Sequence, residues 1–136
     1  MTLPRLHVIT DGDVLARADF HRRLAAIASL GGRVAVHLRD RKADARAFWN
    51  AVERAAPVVR EHGAMLVVNA RPDIAALVGA DAMQLGGADL SVPDARRVAP
   101  GAAVGRSVHG QEEARRAVAE GADFLILGNV HPTASH

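Results

Sequence analysis

The segment "GRSVHG" (105–110) sets Arg106, Ser107 and His109 directly behind an apolar run, where a core would want no polar side chain. A single histidine there can carry a proton, because the ordinary imidazole pKa of roughly 6.5 lies near neutrality. Ser107 and His109 alternate onto one side of an extended chain, but no acidic residue is placed to orient the imidazole, so a serine triad is poorly supported. Similar endings close the other apolar runs: Asp11 after the first, Arg39, Asp40 and Arg41 after the second, and Asn69 and Arg71 after the third. Gly86, Gly87 and Asp89 follow the fourth, and Asn129, His131, Thr133 and His136 follow the last. Several positive groups stand among them with few compensating carboxylates, which suits an anionic ligand such as a phosphate or carboxylate. Each residue alone has a plainer use. Asp11, Asp73 and Asp94 could cap helices, and Arg39 with Asp40 could be a surface pair of small energetic value. From the residues alone no metal centre is expected, since Asp89 is a lone carboxylate and His131 and His136 lack a helical ligand spacing.

The elements that would position these residues are six apolar runs, at 6–10, 34–39, 65–70, 82–86, 102–108 and 124–130. Their near-continuous hydrophobicity suits strands of a parallel sheet covered on both faces. Between them, alanine- and arginine-rich segments at 14–30, 42–62, 72–78, 93–98 and 111–120 have helical spacing. Pro57 is expected to kink or end the second of these early, and Trp49 to pack that helix on the sheet. Gly32, Gly63, Gly79, Gly101 and Gly121 precede strands, where a helix would stop in a left-handed cap. Two units are near copies, "VGADAMQLGG" and "EGADFLILGN". Strict alternation with internal repetition points to a (β/α) barrel, or failing that an open doubly wound sheet. The strand ends of such a barrel converge on one rim, where barrel sites are built. No G-x-G-x-x-G follows the first strand, which argues against a dinucleotide fold.

Length sets the scale. With 136 residues the chain is expected to be a single domain, 1–136. Apolar residues make up 49% and charged residues 24%, a globular balance that excludes a disordered chain. The absence of cysteine excludes disulfides and thiolate metal sites and fits a reducing compartment. No charged-then-apolar leader opens the chain and no apolar run nears the roughly 18 residues of a membrane span, so a cytoplasmic location is expected. The net charge of +2 is spread along helical segments without aromatic interleaving, so neither nucleic acid nor membrane is expected as a partner.

In order along the chain, "LHVITD", "VHLRDR", "VNARPD", "MQLGGADL", "GRSVHG" and "LGNVHPTASH" resemble the thiamine phosphate synthase/TenI superfamily. The resemblance implies a TIM (β/α)8 barrel of roughly 200 residues, of which about the first six strands are present and strands seven and eight, with their phosphate-binding loops, would be missing. In the synthase branch Mg²⁺ is held by two aspartates; the pattern Asn-Asp-Arg after strand three is replaced here by Asn69-Ala70-Arg71, while Asp89 matches the second. His136 stands where that branch has a lysine. The TenI branch matches "GRSVH" residue for residue, although many synthases also carry Ser-x-His there. On this weighing the expectation is a TenI-like thiazole tautomerase, an isomerase of thiamine biosynthesis working without a cofactor. His109 would be its acid/base group, and Arg39, Arg41, Asn69, Arg71, Ser107, Asn129, Thr133 and His136 would bind a phosphorylated thiazole. The alternative is a divergent thiamine phosphate synthase, a transferase condensing a pyrimidine pyrophosphate with thiazole phosphate, with Mg²⁺ at Asp89. A third reading is a non-catalytic paralogue that binds a thiamine-related ligand. A homodimer is allowed by all three.

Overall fold

The computed structural model describes residues 2–131. The strands are β1 (Leu6–Ile9), β2 (Val34–Leu38), β3 (Met65–Asn69), β4 (Ala82–Leu85), β5 (Ala103–Val108) and β6 (Phe124–Leu127). All neighbours pair in parallel, in the order β1-β2-β3-β4-β5-β6. A doubly wound sheet reverses its strand order at a switch point, and this one never does. Every crossover therefore lies on one side of the sheet, the arrangement of a (β/α) barrel opened to six strands.

The helices are α1 (Gly12–Leu15), α2 (Phe20–Ala28), α3 (Ala45–Glu61), α4 (Pro72–Val78), α5 (Val92–Val98) and α6 (Gln111–Ala119), with a 3₁₀ turn at Gly31–Arg33. The single helix expected over 14–30 is thus two. The chain turns between them at Asp19, whose carboxylate takes Arg17 at 2.9 Å and Arg23 at 2.7 Å. Helix α3 runs straight through Pro57, contrary to the expected break. Pro57 removes one intrahelical hydrogen bond, but Phe48, Val52, Ala55, Ala56 and Val59 bury one continuous face against the sheet, and that packing outweighs the loss. Trp49 packs on the same core, as expected. Gly63, Gly79 and Gly121 adopt positive φ before their strands, but in the first loop the left-handed residue is Gly31 rather than Gly32, and Gly101 is not left-handed.

Alternation along the strands makes two unlike faces. Val34, Val36, Leu38, Leu66, Val68, Met83, Leu85 and Val104 face the helices in one large apolar cluster. Ala35, Val67, Ala82 and Phe124 form a smaller cluster on the inner face, the lumen of the half-barrel. The near-copied units share one device. Asp81 Oδ2 accepts the Leu66 N–H at 2.8 Å and Asp123 Oδ2 accepts the Val104 N–H at 2.7 Å, so each carboxylate pins the strand before it. Arg96 also binds Asp123, at 2.8 Å.

Candidate active site at the lumen rim

One step toward the C-terminal ends of the strands, the inner face turns polar. His7 on β1, His37 on β2, Asn69 on β3, Gln84 on β4 and Ser107 on β5 all alternate onto the lumen side, His7 in register with Ala35 and His37 with Val67 of the small apolar cluster. They are hydrogen bonded along the layer. His7 Nδ1 meets His37 Nε2 at 2.9 Å, His37 Nδ1 meets Asn69 Oδ1 at 3.3 Å, and Gln84 Nε2 donates to Ser107 Oγ at 2.9 Å. His37 is fully buried, and burial, reinforced by the neighbouring His7, pushes its pKa down to about 4. Gln84 is buried too, and its Oε1 has no hydrogen-bond partner among the described residues. Gly105 makes room for it: a Cβ there would come within 2.3 Å of both Gln84 Oε1 and the Phe124 ring.

The residues expected from the sequence gather around this layer unevenly. Asn69 and Ser107 belong to it. His109 lies just past β5, where its Nδ1–H donates to the Gly128 carbonyl after β6, and its Nε2 has no hydrogen-bond partner among the described residues. Glu113 accepts the backbone N–H of His109 at 2.8 Å, which fixes the start of α6 rather than the imidazole. Arg39 follows β2, its backbone N–H bonded to Thr10 Oγ1 at 2.9 Å, and neither Arg39 nor Arg41 has a carboxylate partner among the described residues. The expected Arg39–Asp40 pair is not formed, because Asp40 instead closes a turn through the N–H groups of Lys42 and Ala43. Asn129 is exposed after β6. Thr133 and His136 lie outside the described residues.

Two expected residues are already occupied. Arg71 forms a double hydrogen bond with Asp73, at 2.9 and 2.5 Å, which compensates its charge. Arg106 faces the helix side of β5 and donates to the Leu90 carbonyl at 3.0 Å. Asp11 caps α1 through the Val14 N–H, and Ser91, rather than Asp94, caps α5.

The donor set does not fit a protein-held Mg²⁺. Asp89 Oδ2 is taken by the Gly86 N–H at 2.6 Å, the β3 end offers only the Ala70 methyl group, and no cluster of three metal-ligating side chains exists among the described residues. Ala70 nevertheless has φ +61°, a left-handed conformation that Asp, Asn or Gly adopts more readily than Ala. Two clefts of about 370 Å³ open at the opposite end of the strands, around Pro4 and Gly32, and His7, bonded to the Pro4 carbonyl, is the member of the lumen layer nearest to them.

Sequence reasoning missed His7, His37 and Gln84, because each sits inside an otherwise apolar run. The signal was one polar residue of matching parity in five successive strands.

A family model described as thiamine monophosphate synthase matches residues 6–136. The thiamine-phosphate synthase of Methanoculleus marisnigri is 38% identical, over 96% of this chain and 62% of its own length. That of Pyrococcus furiosus is 35% identical over 95% of this chain and 60% of its own, and that of Thermus thermophilus 44% identical over 76% and 50%. A solved structure of thiamine phosphate pyrophosphorylase from Pyrococcus furiosus superposes with a TM-score of 0.80 at 34% identity, covering 94% of this chain and 61% of that one. The chain thus spans 50–62% of the length of these curated relatives. These relatives correct the tautomerase expectation: they are named as synthases, hence transferases and not isomerases. That expectation rests on Ala70, on His136 in place of a lysine and on the "GRSVH" match. A likeness spread over the whole half-barrel outweighs them, the more so as the Ser-x-His segment serves either branch. The chain belongs to the thiamine monophosphate synthase (TMP-TENI) family.

Proposed function

We propose that this chain carries the lumen rim of a thiamine-phosphate synthase, a transferase that condenses a pyrimidine pyrophosphate with thiazole phosphate and releases pyrophosphate. The observation that carries the reading is the likeness, 35–38% identical over 95–96% of the chain, to relatives of that name. The polar layer supports it chemically. Asn69 and Ser107 give a polar ligand donors and acceptors beside an apolar floor. Arg39 and Arg41, without carboxylate partners among the described residues, supply positive charge for phosphate groups at the same end. His109 offers its Nε2 to the ligand, and Asn129 stands beside its Gly128 contact. No helix among the described residues is long and apolar enough to cross a membrane.

Because the side chains of the described residues do not assemble a magnesium site, no step here runs through a metal held by them. The test is to mix the purified protein with the pyrimidine pyrophosphate and thiazole phosphate in Mg²⁺ buffer, and to follow pyrophosphate release together with thiamine phosphate formation. The two products should appear in equal amounts, and His109→Ala should slow the reaction about tenfold through the lost hydrogen bond. Pyrophosphate release without coupled thiamine phosphate, or no turnover at all, would overturn the assignment.

A further inference from the structure

We propose that His7 is a positioning residue: acting through His37, it fixes which end of the Asn69 amide faces the ligand. The proposal rests on the lumen rim being the ligand site. Its basis is a chain of three contacts running across β1, β2 and β3. His7 Nε2 lies 3.1 Å from the Pro4 carbonyl, His7 Nδ1 lies 2.9 Å from His37 Nε2, and His37 Nδ1 lies 3.3 Å from Asn69 Oδ1.

A carbonyl oxygen only accepts, so the proton of an uncharged His7 sits on Nε2. Its Nδ1 is then a lone pair and must accept the Nε2–H of His37. That leaves a lone pair on His37 Nδ1 as well, since an imidazole buried to this degree is uncharged near neutrality. A lone pair cannot bond the Asn69 oxygen. Half a turn of the amide, which exchanges two nearly isosteric groups, puts the NH₂ on His37 and points the oxygen along the lumen. The direction of every proton in the chain thus follows from one fixed point, the Pro4 carbonyl. Asn69 becomes an acceptor toward the ligand and selects an N–H or O–H at that place. The other end of that amide has no hydrogen-bond partner among the described residues, so nothing in the layer opposes this choice.

Ring-nitrogen ¹⁵N NMR of the protein at pH 8 reads the relay directly. Both His7 and His37 are expected in the Nε2–H form. His7→Phe removes the fixed point, so His37 should become a mixture of tautomers, and affinity for the pyrimidine pyrophosphate should fall about tenfold. In His7→Gln the amide can donate to Pro4 and accept from His37, so the single tautomer should return and affinity should come back to within about threefold. A wild-type His37 in the Nδ1–H form would overturn the proposal, even if no variant folded. So would equal behaviour of the Gln and Phe variants. An Nε2–H pair in a wild-type protein that does not bind the pyrimidine pyrophosphate would support the relay and count against the synthase reading alone.

Discussion

The two faces of the sheet are made from the same strands and do different work. On the helix side of β2, β3 and β4, Val34, Val36, Leu38, Leu66, Val68, Met83 and Leu85 are all buried in one apolar cluster, and Arg106 on β5 reaches out of that face to the Leu90 carbonyl. On the lumen side a short apolar floor of Ala35, Val67, Ala82 and Phe124 gives way within one alternation to histidine, asparagine, glutamine and serine. Burying those groups is costly, and only the bonds they make with one another offset it. The outer face therefore holds the fold together, while the inner face spends stability on a fixed pattern of donors and acceptors. Such an exchange is expected at a binding site.

The comparison breaks most visibly from the outer side. Leu66→Ala, in the middle of the buried β3 face, should cost about 3 kcal/mol, seen as a lower urea midpoint at unchanged slope. An effect below about 1 kcal/mol would mean that the outer face is not the stabilising one.

The inner face should be visible through pH. His37 is held near 4 in the folded chain against an ordinary 6.5, so between those values the unfolded chain binds the extra proton. Stability is complete above pH 6.5 and is lost as pH falls toward 4, by about 3 kcal/mol if the whole difference is expressed. His37→Gln should flatten that part of the stability profile, and an unchanged profile would remove His37 as its source.

Smaller effects sharpen the boundary between the faces. Gly105→Ala drives a methyl group into Gln84 Oε1 and the Phe124 ring, and should destabilise by about 2 kcal/mol, measured by thermal melting. Ala70→Gly relieves the left-handed backbone and should stabilise by about 0.5 kcal/mol. A loss of stability there would show that the Ala70 methyl group makes contacts worth more than the strain.

Much of this was legible in the sequence, for reasons that can be named. Strand positions were found to within a few residues because a strand buried on both faces is an unbroken apolar run, and the chain has six. The rim was legible because polar residues concentrate where those runs end. The divided first helix was not, since "LARADFHRR" contains neither glycine nor proline. The turn depends on Asp19, which gathers Arg17, Arg22 and Arg23, with hydrogen bonds from Arg17 and Arg23 drawing its pKa down to about 2. Pro57 misled in the opposite sense, because tertiary packing overrides a local breaker. The double hydrogen bond between Arg71 and Asp73 was not legible either, since an arginine two residues before an aspartate pairs with it only in some backbone geometries. The inner layer went unread because a single polar letter in "VAVHL" looks like an exception, until four other strands repeat it at the same parity.

The most direct test of the account is a ¹H–¹⁵N titration of the protein with the pyrimidine pyrophosphate, read at backbone and side-chain amides. The account predicts shift changes at His37, Asn69, Gln84, Ser107 and His109, with Val36, Leu66, Val68 and Val104 on the helix side silent. Changes confined to the helix side, or to the clefts around Pro4 and Gly32, would contradict it.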